Sequence, residues 1–136
     1  MEFRLRVYYE DTDAGGIVYY ANYLKFIERA RTEALLALGL SQTALREEHG
    51  VLLVVREVSA RFLAPARLED QLVVTTRAGP VEGVRITMAQ DVLRAGVALA
   101  KCRVGLACVG PGGRPVRVPA AVAAALGSLP PLDDDV

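Results

Sequence analysis

At 136 residues, 52% hydrophobic and 24% charged, the chain has the material for one packed domain, which excludes two domains and global disorder. Sixteen basic residues balance sixteen acidic ones, so the strong basic excess of a nucleic-acid binder is absent. Asp133, Asp134 and Asp135 hold three of those acids, which leaves the preceding body at a net charge of +3, suited to an anionic ligand without demanding one.

The chain opens on a strand over residues 3–9, where Phe3, Leu5, Val7 and Tyr9 alternate with Arg4, Arg6 and Tyr8. Its charged start is unlike an export signal. No apolar run approaches the roughly 20 residues of a membrane-spanning helix. A cytoplasmic protein with no membrane insertion is expected. Residues 10–16, Glu-Asp-Thr-Asp-Ala-Gly-Gly, are turn chemistry. A long helix follows over about 22–38. Tyr23, Ile27, Ala30, Ala34 and Leu38 recur at three- and four-residue steps, and Leu24 and Leu35 widen the stripe. Asn22 is its expected N-cap and Gly39 its stop. Ser41 to Glu48 reads as a shorter helix with Ser41 as cap and Gly50 as stop; His49 there suits the negative end of the helix dipole.

The period then changes to two. Strands are expected over Val51–Leu63, Gln71–Ala78, a run through Val84, Ile86 and Met88, and a run from Ala98 to Cys108. Gly79 to Gly83 and Arg94-Ala95-Gly96 serve as hairpin links. Cys102 and Cys108 share one strand face about 20 Å apart, too far for a disulfide, and read as reduced core residues. Gly110-Pro111-Gly112-Gly113 is a turn. Pro119 to Leu126 is a short helix ended by Gly127. The order is strand, long helix, four strands: an α+β fold with an antiparallel sheet whose face buries the helix stripe. A single domain over 1–127 and a disordered acidic tail over 128–136 are expected.

Composition removes several chemistries. His49 is the sole histidine, and neither Ser41, Ser59 nor Ser128 lies in a Gly-x-Ser-x-Gly elbow. One histidine and two distant cysteines do not make a usual zinc site, and no phosphate-binding Gly-x-x-x-x-Gly-Lys occurs. Neither metal nor cofactor is expected, and catalysis falls to carboxylates, tyrosines and backbone dipoles.

Those groups converge in Tyr8-Tyr9-Glu10-Asp11-Thr12-Asp13-Ala14-Gly15-Gly16-Ile17-Val18-Tyr19-Tyr20-Ala21-Asn22-Tyr23. Carboxylates and glycines stand directly before a helix start, whose first amides are unpaired donors favoured by the dipole for negative charge. A carboxylate beside a carbonyl- or anion-binding amide fits nucleophilic or general-base work. The plainer reading is a strand-to-helix turn in which Asp11 and Asp13 satisfy turn amides.

This block, with Asn22-Tyr23-Leu24 and Glu28-Arg29-Ala30-Arg31-Thr32-Glu33, closely resembles the hotdog-fold acyl-CoA thioesterases. The nearest branch is the tol–pal-associated (YbgC-like) one, related to 4-hydroxybenzoyl-CoA thioesterase. Phe62, Pro65-Ala66, Asp70 and Gly113-Arg114-Pro115-Val116-Arg117-Val118-Pro119 agree, so the resemblance runs from about residue 3 to 126. It implies a long helix wrapped by an antiparallel sheet, and hydrolysis of an acyl-CoA. It implies Asp13 as catalytic carboxylate, the Tyr20 backbone N–H as the donor to the thioester carbonyl, and Tyr9, Gly16 and Val18 as substrate-binding residues. It also implies a homo-oligomer, dimer or tetramer, with each site at a subunit boundary. The tol–pal branch commonly carries His where this chain has Tyr20, a departure that bears on substrate choice.

Asp13 serves as nucleophile or general base, and the residues leave both open. Among Arg61, Arg67, Arg85, Arg94, Lys101 and Arg103 some neighbours for CoA phosphates are expected. The competing reading is a non-enzymatic binder of acyl-CoA or acyl carrier protein; a buried carboxylate at Asp13 argues against it. A hotdog dehydratase would need a central-helix histidine, and none is present.

Overall fold

The computed structural model describes residues 1–132. Five strands form one antiparallel sheet: β1 (Glu2–Arg6), β2 (Leu52–Phe62), β3 (Gln71–Ala78), β4 (Arg85–Arg94) and β5 (Val97–Val109). Their spatial order is β1–β3–β4–β5–β2. Short hairpins join β3 to β4 and β4 to β5, as their turn residues imply. β2, by contrast, pairs with β5 at one edge, and the link at 63–70 carries the chain across to β3, beside β1 at the other edge. That crossover supports the loop over residues 8–21.

The long helix α1 (Asn22–Ala37) lies over β1, β3 and β4. Its buried stripe is Tyr23, Phe26, Ile27, Ala30, Ala34 and Leu35. The expected stripe needs two corrections. Leu24 is 42% exposed, one 100° step from Tyr23 on the outward side, and Phe26, three residues on from Tyr23, is fully buried. Asn22 is not the cap. Ala21 occupies that position with helical backbone angles, and Asn22 is the first helical residue. α2 (Gln42–His49) starts on Ser41, whose hydroxyl accepts from the Ala44 N–H, and stops at Gly50 in left-handed conformation.

β1 ends at Arg6, short of the expected Tyr9. Val7 leaves the strand ladder and bonds instead to the crossover, its N–H donating to the Asp70 carbonyl and its carbonyl accepting from the Glu69 N–H. Cys102 and Cys108 are both buried and free. Burial, with Asp91 nearby, pushes the Cys102 thiol up to about 11, and burial raises Cys108; both are packing groups.

α3 (Ala120–Leu126) closes the core with Val122 and Leu126. The tail expected from 128 onward is ordered at its start. Leu129 is buried in the core, and the Pro130 carbonyl accepts from the Ala78 N–H, beyond the point where β1 stops covering β3. An apolar side chain and an unpaired strand amide together hold it. The acidic part, 133–136, lies outside the described residues.

One polar residue interrupts the inner face. Gln90, on β4 between Met88 and Val92, has no exposed surface. Its Nε2 donates to the Ile27 carbonyl at 2.8 Å and to Thr76 Oγ1 at 3.0 Å, and its Oε1 accepts from Arg31 Nη1 at 2.9 Å. This bridge fixes α1 on the sheet. Burial lowers the Arg31 pKa, against the raising effect of Glu28. Gln90→Leu strips partners from Thr76 and Arg31 and should cost about 1–3 kcal/mol. Urea denaturation should show a lower midpoint at an unchanged slope; an unmoved midpoint would mean the bridge contributes nothing net.

Candidate active site

Residues 8–21 form a loop held at several points. After Tyr8 the chain makes a 3₁₀ turn, Tyr9–Asp11. Asp11 is buried, and its Oδ2 accepts from the Tyr8 N–H at 2.8 Å. Thr12 and Val18 then face each other as a short antiparallel bridge. The Asp13 N–H donates to the Ile17 carbonyl at 2.9 Å, and the Gly16 N–H returns to the Asp13 carbonyl at 3.0 Å. Gly16 sits at φ +76°, the left-handed value that this tight turn requires and glycine adopts without strain.

Asp13 therefore stands at the tip of a small hairpin, exposed. Its Oδ1 accepts from the Gly15 N–H at 2.9 Å, and among the described residues this is its carboxylate's one hydrogen bond. The expectation of a buried carboxylate at Asp13 is corrected: the buried one is Asp11. The 3₁₀ turn directs Asp11 inward to cap Tyr8, and the hairpin carries Asp13 outward.

The returning arm leads into α1. Val18 donates its N–H to the Ala66 carbonyl at 2.8 Å and Tyr19 donates to the Asp11 carbonyl at 3.0 Å. The helix then winds tightly from its first residues. Asn22 N–H bonds the Tyr19 carbonyl at 2.8 Å, Tyr23 the Tyr20 carbonyl at 3.2 Å and Leu24 the Ala21 carbonyl at 3.1 Å. That winding uses the amides from Asn22 onward. The Tyr20 and Ala21 N–H groups have no hydrogen-bond partner among the described residues, at the end of the helix where the dipole favours negative charge. The loop thus presents a carboxylate with one oxygen unengaged and, seven residues on, a free helix-start amide.

The other expected residues are placed as follows. Tyr9 is 83% exposed and borders an open cleft of about 530 Å³ with Tyr8, Glu10, Leu68 and Arg6. Gly16 shapes the hairpin tip. Val18 is 4% exposed and belongs to the core, so its side chain faces away from any ligand at the loop surface; its main chain anchors the arm. The Tyr20 ring is 61% exposed and meets the Phe62 ring edge-on at 5.9 Å, while Tyr23 lies 5.4 Å from Phe62. Phe62, at the end of β2, walls the site beside Tyr20. Of the basic residues named for phosphates, Arg94 is committed to Asp70 at 2.6 Å. Burial alone would raise the Asp70 carboxyl, yet the Arg67 amide and the Arg94 guanidinium hold it below the usual carboxylate range.

The residue types that hold the loop went unread in the sequence. The Tyr23 hydroxyl accepts from the Ala66 N–H at 2.9 Å, and the Asn22 side chain donates to the Asp11 carbonyl at 2.9 Å. A tyrosine inside an apolar stripe and an asparagine at a helix start are their only signals in the sequence.

Over residues 7–126 the chain matches the model of the thioesterase-like superfamily. It belongs to that family. The acyl-CoA thioesterase YbgC of Haemophilus influenzae is 44% identical over 128 residues, 93% of this chain and 94% of that protein. A probable thioesterase from Bartonella henselae superposes with a TM-score of 0.82 at 36% identity, covering 88% of this chain and 98% of that one. A 4-hydroxybenzoyl CoA thioesterase mutant, solved with 4-hydroxybenzoyl CoA, has the same fold, with a TM-score of 0.86 at 20% identity over 93% of this chain and 97% of that one. The fold is the hotdog fold of these thioesterases.

In this thioesterase the Tyr20 N–H supports no internal bond, so deleting it should affect chemistry more than stability. Tyr20→Phe keeps ring and amide and should retain most of the turnover. If the Tyr20 N–H polarises the thioester carbonyl, Tyr20→Pro, which removes the donor, should cost roughly 3–4 kcal/mol of transition-state stabilisation, with circular dichroism confirming the fold. Loss of hydrolysis in a folded Tyr20→Phe would make the phenol a chemical participant and overturn the amide assignment.

Proposed function

We propose that the protein hydrolyses an acyl-CoA thioester to the free acid and CoA, with Asp13 and the Tyr20 backbone amide as the reacting pair. The observation that carries the reading is their pairing on one clamped loop: a carboxylate oxygen and a helix-start N–H, both unengaged. A thioester carbonyl placed on the Tyr20 N–H is polarised toward an oxyanion, which the preorganised amide and helix dipole stabilise without reorganisation. Asp13 then either attacks the carbonyl carbon, expelling CoA thiolate and leaving a mixed anhydride for water to open, or takes a proton from an attacking water. Both routes use the same two groups.

Tyr9, Gly16 and Val18 mark the substrate-binding stretch around that pair, Val18 through its main chain. The single domain expected over 1–127 takes in Leu129 and Pro130 as well, which pack back on it. The protein acts in the cytoplasm, without nucleic acid and without membrane insertion; no helix among the described residues is long and apolar enough to cross a membrane. It works as a homo-oligomer, a dimer or a tetramer. The support is β2, an edge strand with Val55 45% exposed, Val58 41% exposed and Phe62 48% exposed. An eleven-residue edge strand that exposes three large apolar side chains among its charged ones calls for cover, and its Phe62 end adjoins the site.

A hydrolysis panel of aliphatic and aromatic acyl-CoAs with free-thiol detection, run beside light scattering, tests both parts. Wild type should release thiol as at least a dimer. Asp13→Asn, which keeps the Oδ1 contact to Gly15, should lower turnover by at least about a hundredfold with the fold intact. A folded Asp13→Asn with near-normal turnover would return Asp13 to a turn-forming part, and a fully active monomer would refute the shared site.

A further inference from the structure

We propose that Asn22 is a positioning residue for the reaction: its side-chain amide ties the Asp11 carbonyl to the start of α1, and so sets where Asp13 stands relative to the Tyr20 N–H. The proposal rests on the reading of those two groups as the reacting pair. The geometry is specific. One carbonyl oxygen, that of Asp11, accepts from two donors: the Tyr19 N–H at 3.0 Å and Asn22 Nδ2 at 2.9 Å. These donors bracket Tyr20 and Ala21. The bracketed segment is closed again by the bond from the Asn22 N–H to the Tyr19 carbonyl at 2.8 Å. The Tyr20 amide is thus held from both sides.

The acceptor is equally fixed. Asp11 is buried, its carboxylate is bonded to Tyr8, and it lies two residues before Asp13. The tie therefore joins the outgoing arm, which carries Asp13, to the helix, which carries the Tyr20 amide.

The residue type fits this task and not the ordinary one. Asn22 is the first helical residue, Ala21 holds the cap position, and no side-chain capping bond is made. For helix stability alone an aspartate would serve better here, because negative charge in the first turn complements the dipole. An ionised carboxylate is acceptor-only, however, whereas a carboxamide donates to a carbonyl. The position requires the donor. That difference separates positioning from stability: Asn22→Asp should leave the helix at least as stable and remove the tie.

The test combines Asn22→Asp, Asn22→Ala and Asn22→Gln in the full chain, with steady-state kinetics, thermal melts and amide hydrogen exchange. Asn22→Asp should melt no lower than Asn22→Ala. Both should lose between about tenfold and a hundredfold in kcat, with KM held within about threefold. Asn22→Gln, which keeps the donor on a longer arm, should recover part of that loss. The Tyr19 N–H should exchange about tenfold faster or more in the Asp and Ala variants, while Ile27 and Ala30 in mid-helix keep their protection. An Asn22→Asp enzyme turning over within about twofold of wild type, or a loss confined to KM, would overturn the proposal. Unchanged Tyr19 exchange would overturn it as well, and that readout is independent of hydrolysis. Absence of wild-type hydrolysis on every thioester would instead strike the functional reading.

Discussion

Everything at the site depends on Ala66, a fully buried residue hydrogen-bonded through both its backbone N–H and its carbonyl. Its carbonyl takes the Val18 N–H and its N–H reaches the Tyr23 hydroxyl. The crossover between β2 and β3 is thereby fastened at once to the returning arm of the loop and to the first turn of α1. Beside that double hold, the Asn22 side chain ties hairpin and helix together at the Asp11 carbonyl. The neighbouring bonds extend the fastening: Val7 to Asp70 and Glu69 at one end, and the Arg94 contact to Asp70 from the β4–β5 turn. A connection that looks like plain linker in sequence is the anvil of the site.

The rigidity has a chemical consequence. A helix start leaves amides unpaired, and most proteins cover them with a capping side chain. Here the candidate cap, Asn22, is displaced one residue into the helix and turned back to Asp11, while the tight first turn uses its own amides from Asn22 onward. The Tyr20 N–H is left open and directed by its neighbours. Asp11 and Asp13 divide the labour of the two carboxylates: one is buried and satisfies Tyr8, the other is carried out on a glycine-shaped tip with an oxygen unengaged. In the proposed reaction a preorganised donor of this kind would contribute to the rate because it is already in place when charge develops.

Much of this was legible in the sequence. The switch from a 3.6-residue to a two-residue period located α1 and the four later strands, because amphipathic periodicity follows directly from which face meets the core. The glycines before α1 marked the turn. What local pattern does not encode is long-range pairing. The placement of β2 beside β5 at the far edge, the burial of Asp11 rather than Asp13, and the Ala66 and Gln90 bridges all depend on contacts between residues far apart in the chain. Leu24 falls outside the stripe, and Phe26, which the expected stripe does not name, falls inside it, because a residue toward the margin of an apolar face buries or exposes according to its tertiary partner. Leu129 looks like tail in the sequence because proline and aspartate neighbours dominate its composition, whereas the open amide of Ala78 and the core beside it decide its position.

The most direct test of the central claim reads the carbonyl itself. A carbonyl-labelled acyl-CoA held in the Asp13→Asn protein, whose turnover is expected to be slow, can be followed by isotope-edited infrared difference spectroscopy. If the Tyr20 N–H polarises the thioester, the labelled C=O band should move to lower frequency on binding, and that displacement should vanish when Tyr20→Pro is added. A band unmoved by binding, or a displacement that survives the proline substitution in a folded protein that still binds the thioester, would contradict the assignment of this loop and helix start as the catalytic site.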